Sequence, residues 1–182
     1  DRMPVVAGLG GINTQDAVRA ARAYAALGVS AFLVFPIPAY RGQPLPPEVP
    51  YAYHAAIADA VDTPLILFQL QEALGGVLFP EPVLLKLVEI PSVIALKEAS
   101  FDAVRFVETA RALRQAPRKI VLLTGNDNFI YESYVLGAEG ALIGYGTLFP
   151  DQNVAMYQAA MRKDFDTAAA IWERLRPLEE AV

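Results

Sequence analysis

Apolar residues fall along this chain in short bursts separated by longer amphipathic stretches. MPVVAGL (Met3–Leu9), AFLVFP (Ala31–Pro36), PLILFQL (Pro64–Leu70), VIALKE (Val93–Glu98), KIVLLTG (Lys119–Gly125) and GALIGYG (Gly140–Gly146) are short and read as strands. Their starts are separated by roughly 22 to 33 residues, about the length of one βα unit. The intervening segments carry helical periodicity. TQDAVRAARAYAALG sets Ala17, Val18, Ala21, Tyr24 and Ala25 near one face, with Thr14 expected to cap its start and Gly28 its end. EPVLLKLVEI, FDAVRFVETARALRQ and NFIYESYVLGAEG repeat the design. Strands that are apolar on both faces suit a parallel sheet covered by helices, so the pattern predicts the α/β class.

Two architectures compete. A doubly wound sheet carries a phosphate-binding glycine loop after its first strand. GLGGIN supplies Gly8 and Gly10 but has Asn13 in the third glycine's place, so it reads better as a glycine-rich turn. The alternative is a (β/α)8 barrel, a TIM barrel, whose chemistry sits at the C-terminal ends of the strands. Those ends are polar or glycine-rich here: Gly8 to Asn13, Gln69 and Gln71, Lys97 and Glu98, Gly125 to Asn128, Gly144 to Gly146. The barrel is the favoured reading. Only about six of the eight βα units are visible, which predicts that the chain is a segment of a longer protein.

Composition narrows the chemistry. The chain has 182 residues, 54% of them hydrophobic, enough for one buried domain. No apolar run approaches the roughly 18 residues that cross a bilayer, and no basic leader opens the chain. A formal charge of −5 without a basic tract argues against nucleic acid or an anionic membrane as partner. There is no cysteine, which excludes disulfides and thiolate chemistry, and a single histidine, His54, so no histidine-rich metal site is expected. No metal or other cofactor is called for, and a cytoplasmic location is expected.

Lys97 stands out at the tip of its strand. By alternation, Val93, Ala95 and Lys97 share one side, and Ile94, Leu96 and Glu98 the other. Small Ala95 leaves room under Lys97 on the barrel side, and Ile94 and Leu96 suit the side facing the helices. Two readings stand for the lysine. An amine kept from water has its charged form disfavoured, becomes neutral nearer pH 7 and can attack a carbonyl to form a Schiff base. Alternatively, the side chain snorkels out of the strand end or pairs with a carboxylate.

VIALKEASFD resembles the lysine strand of the dihydrodipicolinate synthase / N-acetylneuraminate lyase family, pyruvate-dependent class I aldolases and lyases built on (β/α)8 barrels. PVVAGLGGINTQDAVRAARAYAALGVSAFLVFP is similar to the family's third and fourth βα units, and TPLILFQL to its fifth strand. LLTGNDNFIYESYVLGAEGALIG is similar to the seventh strand, its polar loop and the eighth strand. The resemblance implies that residues 1–150 form a partial barrel, family strands three to eight, and that residues 151–182 begin a C-terminal helical region. It implies that Lys97 is the catalytic Schiff-base lysine. Gly125, Asn126 and Asp127 match the substrate-contacting loop after strand seven, and Leu142 and Gly144 would add wall. Gly125 can also be read as a turn residue and Asp127 as a helix cap. A 2-oxo acid substrate and a homo-oligomer, dimer or tetramer, follow by the same resemblance.

The departures concern proton transfer and charge. The family's fifth strand carries a proton-relaying tyrosine within a stretch like YNVPGRTG, where this chain reads FQLQEALGG. Phe68 stands in the tyrosine's place and can neither donate nor accept a proton. Ala73 stands in place of an arginine that binds a substrate carboxylate. Gln69 and Gln71 bring hydrogen-bonding groups without charge, and Phe68 and Gln69 are taken as substrate-side residues. The fourth-strand loop, PIPAYRGQPLPPEVP, is stiffened by Pro36, Pro38, Pro44, Pro46, Pro47 and Pro50. Tyr40 on it is a candidate proton relay. Tyr145 is a second, although packing under a helix suits it better. An aldolase or lyase is the first expectation, and a non-catalytic relative that binds a small metabolite is the second. A phosphate-binding α/β domain using GLGGIN or TGNDN is the third.

Overall fold

The computed structural model describes residues 3–42 and 45–179. Pro44 lies outside the described residues, as do the two ends of the expected domains. Six parallel strands form a single sheet in chain order: β1 (Val6–Leu9), β2 (Ala31–Val34), β3 (Leu65–Leu70), β4 (Val93–Ala99), β5 (Val121–Thr124) and β6 (Gly140–Ala141). Helices alternate with them: α1 (Thr14–Ala25), α2 (Glu48–Ala58), α3 (Glu81–Leu87), α4 (Ala103–Arg114) and α5 (Ile130–Val135), followed by α6 (Pro150–Met161) and α7 (Phe165–Glu179). The sheet curls into part of a TIM barrel, as the spacing of apolar runs predicts.

Two faces of the sheet have different fates. Leu9, Phe32, Val34, Leu65, Leu67, Leu96 and Leu122 face the helices and form the main core with Val83, Leu84, Leu87, Phe106 and Ile130. Each such side chain, fully buried, contributes about 1.5–3 kcal/mol. The other face is the lumen, where Ala31, Ile66 and Ala95 pack with Leu33, Val121 and Leu123 in a small separate cluster.

Local signals place the elements. Asp102 caps α4 by accepting from the backbone N–H groups of Val104 and Arg105, and Arg111 and Arg114 oppose the dipole in its last turn. Asn13, not Thr14, caps α1, because its carboxamide oxygen accepts from Asp16 N–H at 2.9 Å while Thr14 is already helical. Gly28 follows α1 with φ 79°, the left-handed conformation that glycine adopts without strain. The apolar pattern does not single out α2, since Val49, Tyr51, Tyr53, Ala55 and Ile57 are spread around it.

Three strand readings are corrected. β1 begins at Val6 rather than Met3, and β6 is only Gly140–Ala141, the chain turning at Tyr145–Thr147. In β4, Leu65 pairs with Val93 but Ile66 pairs with Ala95, so the register shifts across residue 94. This bulge puts Val93 in the helix-side core and leaves Ile94 44% exposed, the reverse of simple alternation. Arg118 secures the spot by donating to the carbonyls of Ile90 and Val93. Alternation from Ala95 onward holds, so Lys97 keeps its place on the lumen face.

Candidate active site

Lys97 sits between Phe68 of β3 and Leu123 of β5, the residues in register with it on either side. Its Nζ lies 4.5 Å from the centroid of the Phe68 ring. Among the described residues, no hydrogen bond or ion pair holds the amine. It opens on a cavity of about 360 Å³ lined by Val6, Gly8, Leu33, Leu142, Ile143 and Gly144. The expected wall residues Leu142 and Gly144 therefore do meet Lys97 in one space. Burial pushes the Lys97 amine below its ordinary value of 10.5, and the Asp127 carboxylate pulls it partly back.

Gly125 makes the lysine's conformation possible. A Cβ there would stand 2.5 Å from Lys97 Cε and 2.8 Å from Ala99 Cβ. The glycine is required for close approach, not for a special backbone angle. Asp127 opens a short turn (Asp127–Phe129) and accepts from Tyr145 N–H at 2.9 Å. It thus fastens the loop after β5 to the chain after β6, with its carboxylate within electrostatic reach of the amine.

Asn126, expected near substrate, is instead fully buried and structural. Its amide donates to Glu98 Oε2 at 2.7 Å, to the Glu98 carbonyl at 3.0 Å and to Thr124 Oγ1 at 3.3 Å, and its oxygen accepts from Phe101 N–H at 2.6 Å. Phe101 has φ 61°, a left-handed conformation uncommon for a bulky residue, and this bond helps to hold it there. Glu98 also accepts from Ser100 N–H at 3.0 Å. Burial raises the Glu98 carboxyl above its usual range, and the hydrogen bonds from Ser100 and Asn126 oppose that shift.

Gln69 points away from the lumen. It is fully buried in the helix layer, donates to Thr109 Oγ1 at 2.9 Å and accepts from Phe79 N–H at 3.2 Å. Phe68 and Gln69 are neighbours on a strand and cannot share a face, a constraint the alternation already contained. Phe68 is the lumen residue, packed edge-on against Phe35 with centroids 4.8 Å apart. Phe35 went unnoticed because AFLVFP was read only as a strand, although alternation with Ala31 and Leu33 puts it on the lumen face.

Tyr40, in the turn Pro38–Tyr40, packs edge-on against Tyr53 of α2. Burial raises its phenol above 10.0, which makes it a poorer proton donor. Tyr145 is buried and donates to the Leu175 carbonyl in α7, the packing role expected of it. Ala73 is exposed in the turn Glu72–Leu74. That loop closes on itself: Leu70 N–H donates to Val77 O, Gly76 N–H to Gln71 O, and a Cβ on Gly76 would collide with the Leu70 carbonyl at 2.3 Å. In GLGGIN, Gly8 lies against Phe35, and Gly11 abuts the start of α1, where a Cβ would be 2.8 Å from Ala17 N. Packing accounts for both glycines. Among the described residues, no helix is long and apolar enough to cross a membrane.

Comparison with known proteins agrees with this geometry. Residues 1–182 match the model of the dihydrodipicolinate synthetase family. A 4-hydroxy-tetrahydrodipicolinate synthase from Alcanivorax borkumensis is 33% identical over 97% of this chain and 58% of its own length. One from Synechococcus elongatus is 34% identical over 100% of this chain and 59% of its own length. The solved structure of the chloride-inhibited dihydrodipicolinate synthase from Acinetobacter baumannii, complexed with pyruvate, superposes with a TM-score of 0.85. It is 28% identical and covers 99% of this chain and 60% of the solved one. The chain thus spans about three fifths of the length of these relatives. On its sequence and its fold alike, the chain belongs to the dihydrodipicolinate synthetase family.

Proposed function

We propose that Lys97 forms a Schiff base with a 2-oxo acid such as pyruvate, and that the protein is a class I aldolase-type lyase or synthase. The observation that carries this reading is the Lys97 amine, without a hydrogen-bond or ion-pair partner among the described residues, lowered by burial and opening on its own cavity beside Gly125. The neutral amine attacks the carbonyl carbon, water leaves, and the protonated imine withdraws electrons from the adjacent carbon. The imine is itself the electron sink, so the reading calls for no further cofactor. Gly125 gives the lysine room, Asp127 adjusts its charge, and Leu142 and Gly144 shape the wall. Phe68 orients the amine from below but moves no proton. Water or another hydroxyl, Tyr40 among the candidates, carries that step. A homo-oligomer, dimer or tetramer, in the cytoplasm completes the proposal.

Reduction with borohydride in the presence of pyruvate tests it: full-length protein acquires a covalent adduct on Lys97. No adduct across a series of 2-oxo acids overturns the reading.

Phe68 favours a second reading, a relative that binds a small metabolite without turning it over. Loss of an acid–base group typically costs roughly 10²–10⁴-fold in rate. Oxo-acid binding by calorimetry that is indifferent to Lys97→Ala supports this reading. Activity gained on Phe68→Tyr speaks for a scaffold that is otherwise competent.

A further inference from the structure

A second cavity lies on the Phe68 ring that the Lys97 amine also touches. It has a volume of about 420 Å³, within the range of small-molecule sites. It lies at the C-terminal ends of β1, β2 and β3, walled by Phe35, Pro36, Pro38, Phe68, Leu70 and Leu74, with Ile12 and four glycines completing it. Among the described residues, no wall residue is titratable. Phe68 belongs to both spaces, because its ring underlies the Lys97 amine at 4.5 Å and also walls the niche. Phe35, edge-on to that ring, is 41% exposed. Besides Lys97, two charged side chains stand at the rim. Arg41 is 3.9 Å from a Cβ built on Gly75, and Glu72 is 3.9 Å from one built on Gly42.

The geometry points to an apolar, uncharged aldehyde as the second reactant, held in this niche beside the lysine-bound oxo acid. The inference rests on the Schiff-base reading and names its substrate class. The bound 2-oxo acid loses a proton from C3 to water and becomes an enamine. C3 then bonds to the aldehyde carbon, the carbonyl π pair moves to the aldehyde oxygen, and that oxygen takes up a proton. Water hydrolyses the imine, returns the amine and releases a 4-hydroxy-2-oxo acid, without oxidation or reduction. An anionic aldehyde would lose hydration against these rings with no charged partner among the described wall residues, whereas a phenyl or alkyl group gains by burial.

The experiment uses full-length protein, pyruvate, and either benzaldehyde or anionic glyoxylate, with borohydride trapping of pyruvate alone run beside it. The expected kcat/KM for benzaldehyde exceeds that for glyoxylate by at least about tenfold. Leu74→Asp, a change at a 61% exposed wall position, lowers that ratio by about tenfold or more. Trapping with equal rates for the two aldehydes overturns the niche alone. Trapping with glyoxylate preferred, the preference vanishing in Arg41→Ala, also overturns it and assigns selection to the rim guanidinium. Absence of trapping overturns the Schiff-base reading, and the niche with it.

Discussion

Lys97 and Glu98 are neighbours on one strand and differ in every respect but address. The Lys97 amine faces a cavity, has no hydrogen-bond partner among the described residues, and is shifted toward neutrality by lost hydration. The Glu98 carboxylate faces the helix layer, is fully buried, and accepts from Ser100 and Asn126. One residue step turns a buried ionisable group from one without hydrogen-bond partners among the described residues into a rivet. Burial with partners gives architecture, whereas burial without them leaves free energy available for chemistry.

The contrast breaks most sharply at the lysine. Lys97→Ala should abolish borohydride-trapped pyruvate and any aldol turnover, read by intact-protein mass and product assay. Surviving turnover would mean that the reaction does not pass through this amine. Gly125→Ala places a methyl 2.5 Å from Lys97 Cε and should lower kcat/KM by about 10²-fold through displacement of the amine. A fall in thermal stability without that kinetic loss would instead make Gly125 a packing residue. On the other side of the strand, Asn126→Ala leaves Glu98 and Phe101 N–H without their partner. It should cost about 2 kcal/mol, roughly a 30-fold change in the folding equilibrium, read by chemical denaturation. Little change there would show that water replaces the amide.

The gentlest probe is pH. The ammonium is not nucleophilic, so imine formation should rise with pH by up to about tenfold per unit. Because burial lowers the amine, the rise should level off below pH 10.5. Asp127 favours the charged form, so Asp127→Asn should move the rise to lower pH while keeping an oxygen for Tyr145 N–H. A profile unmoved by that change would remove Asp127 from the lysine's electrostatics.

How much of this was legible in the sequence depended on the kind of pattern. The barrel rhythm survives because a buried parallel strand needs an apolar run and its crossover needs a helix, whatever the details. The lumen-side position of Lys97 was legible because alternation holds from Ala95 onward. Val93 and Ile94 were assigned to the wrong faces because alternation counts residues, and a bulge inserts one without a local signature. Gln69 misled because a polar residue at a strand tip suggests a substrate contact, while its partner Thr109 lies 40 positions away in sequence. Asn126 misled similarly: its neighbours on the chain resemble a ligand loop, but its own bonds reach back to Glu98 and Phe101.

The self-closing turn after β3 has its own implication. Gly76 seals against the Leu70 carbonyl, and the sealed span carries Glu72, Ala73 and Leu74 as an exposed tip. Such a tip resembles an exchangeable cartridge, mounted between the end of β3 and the segment leading into α3. Three side chains at this tip can therefore differ while the β3 end, Lys97 and Gly125 keep their own packing.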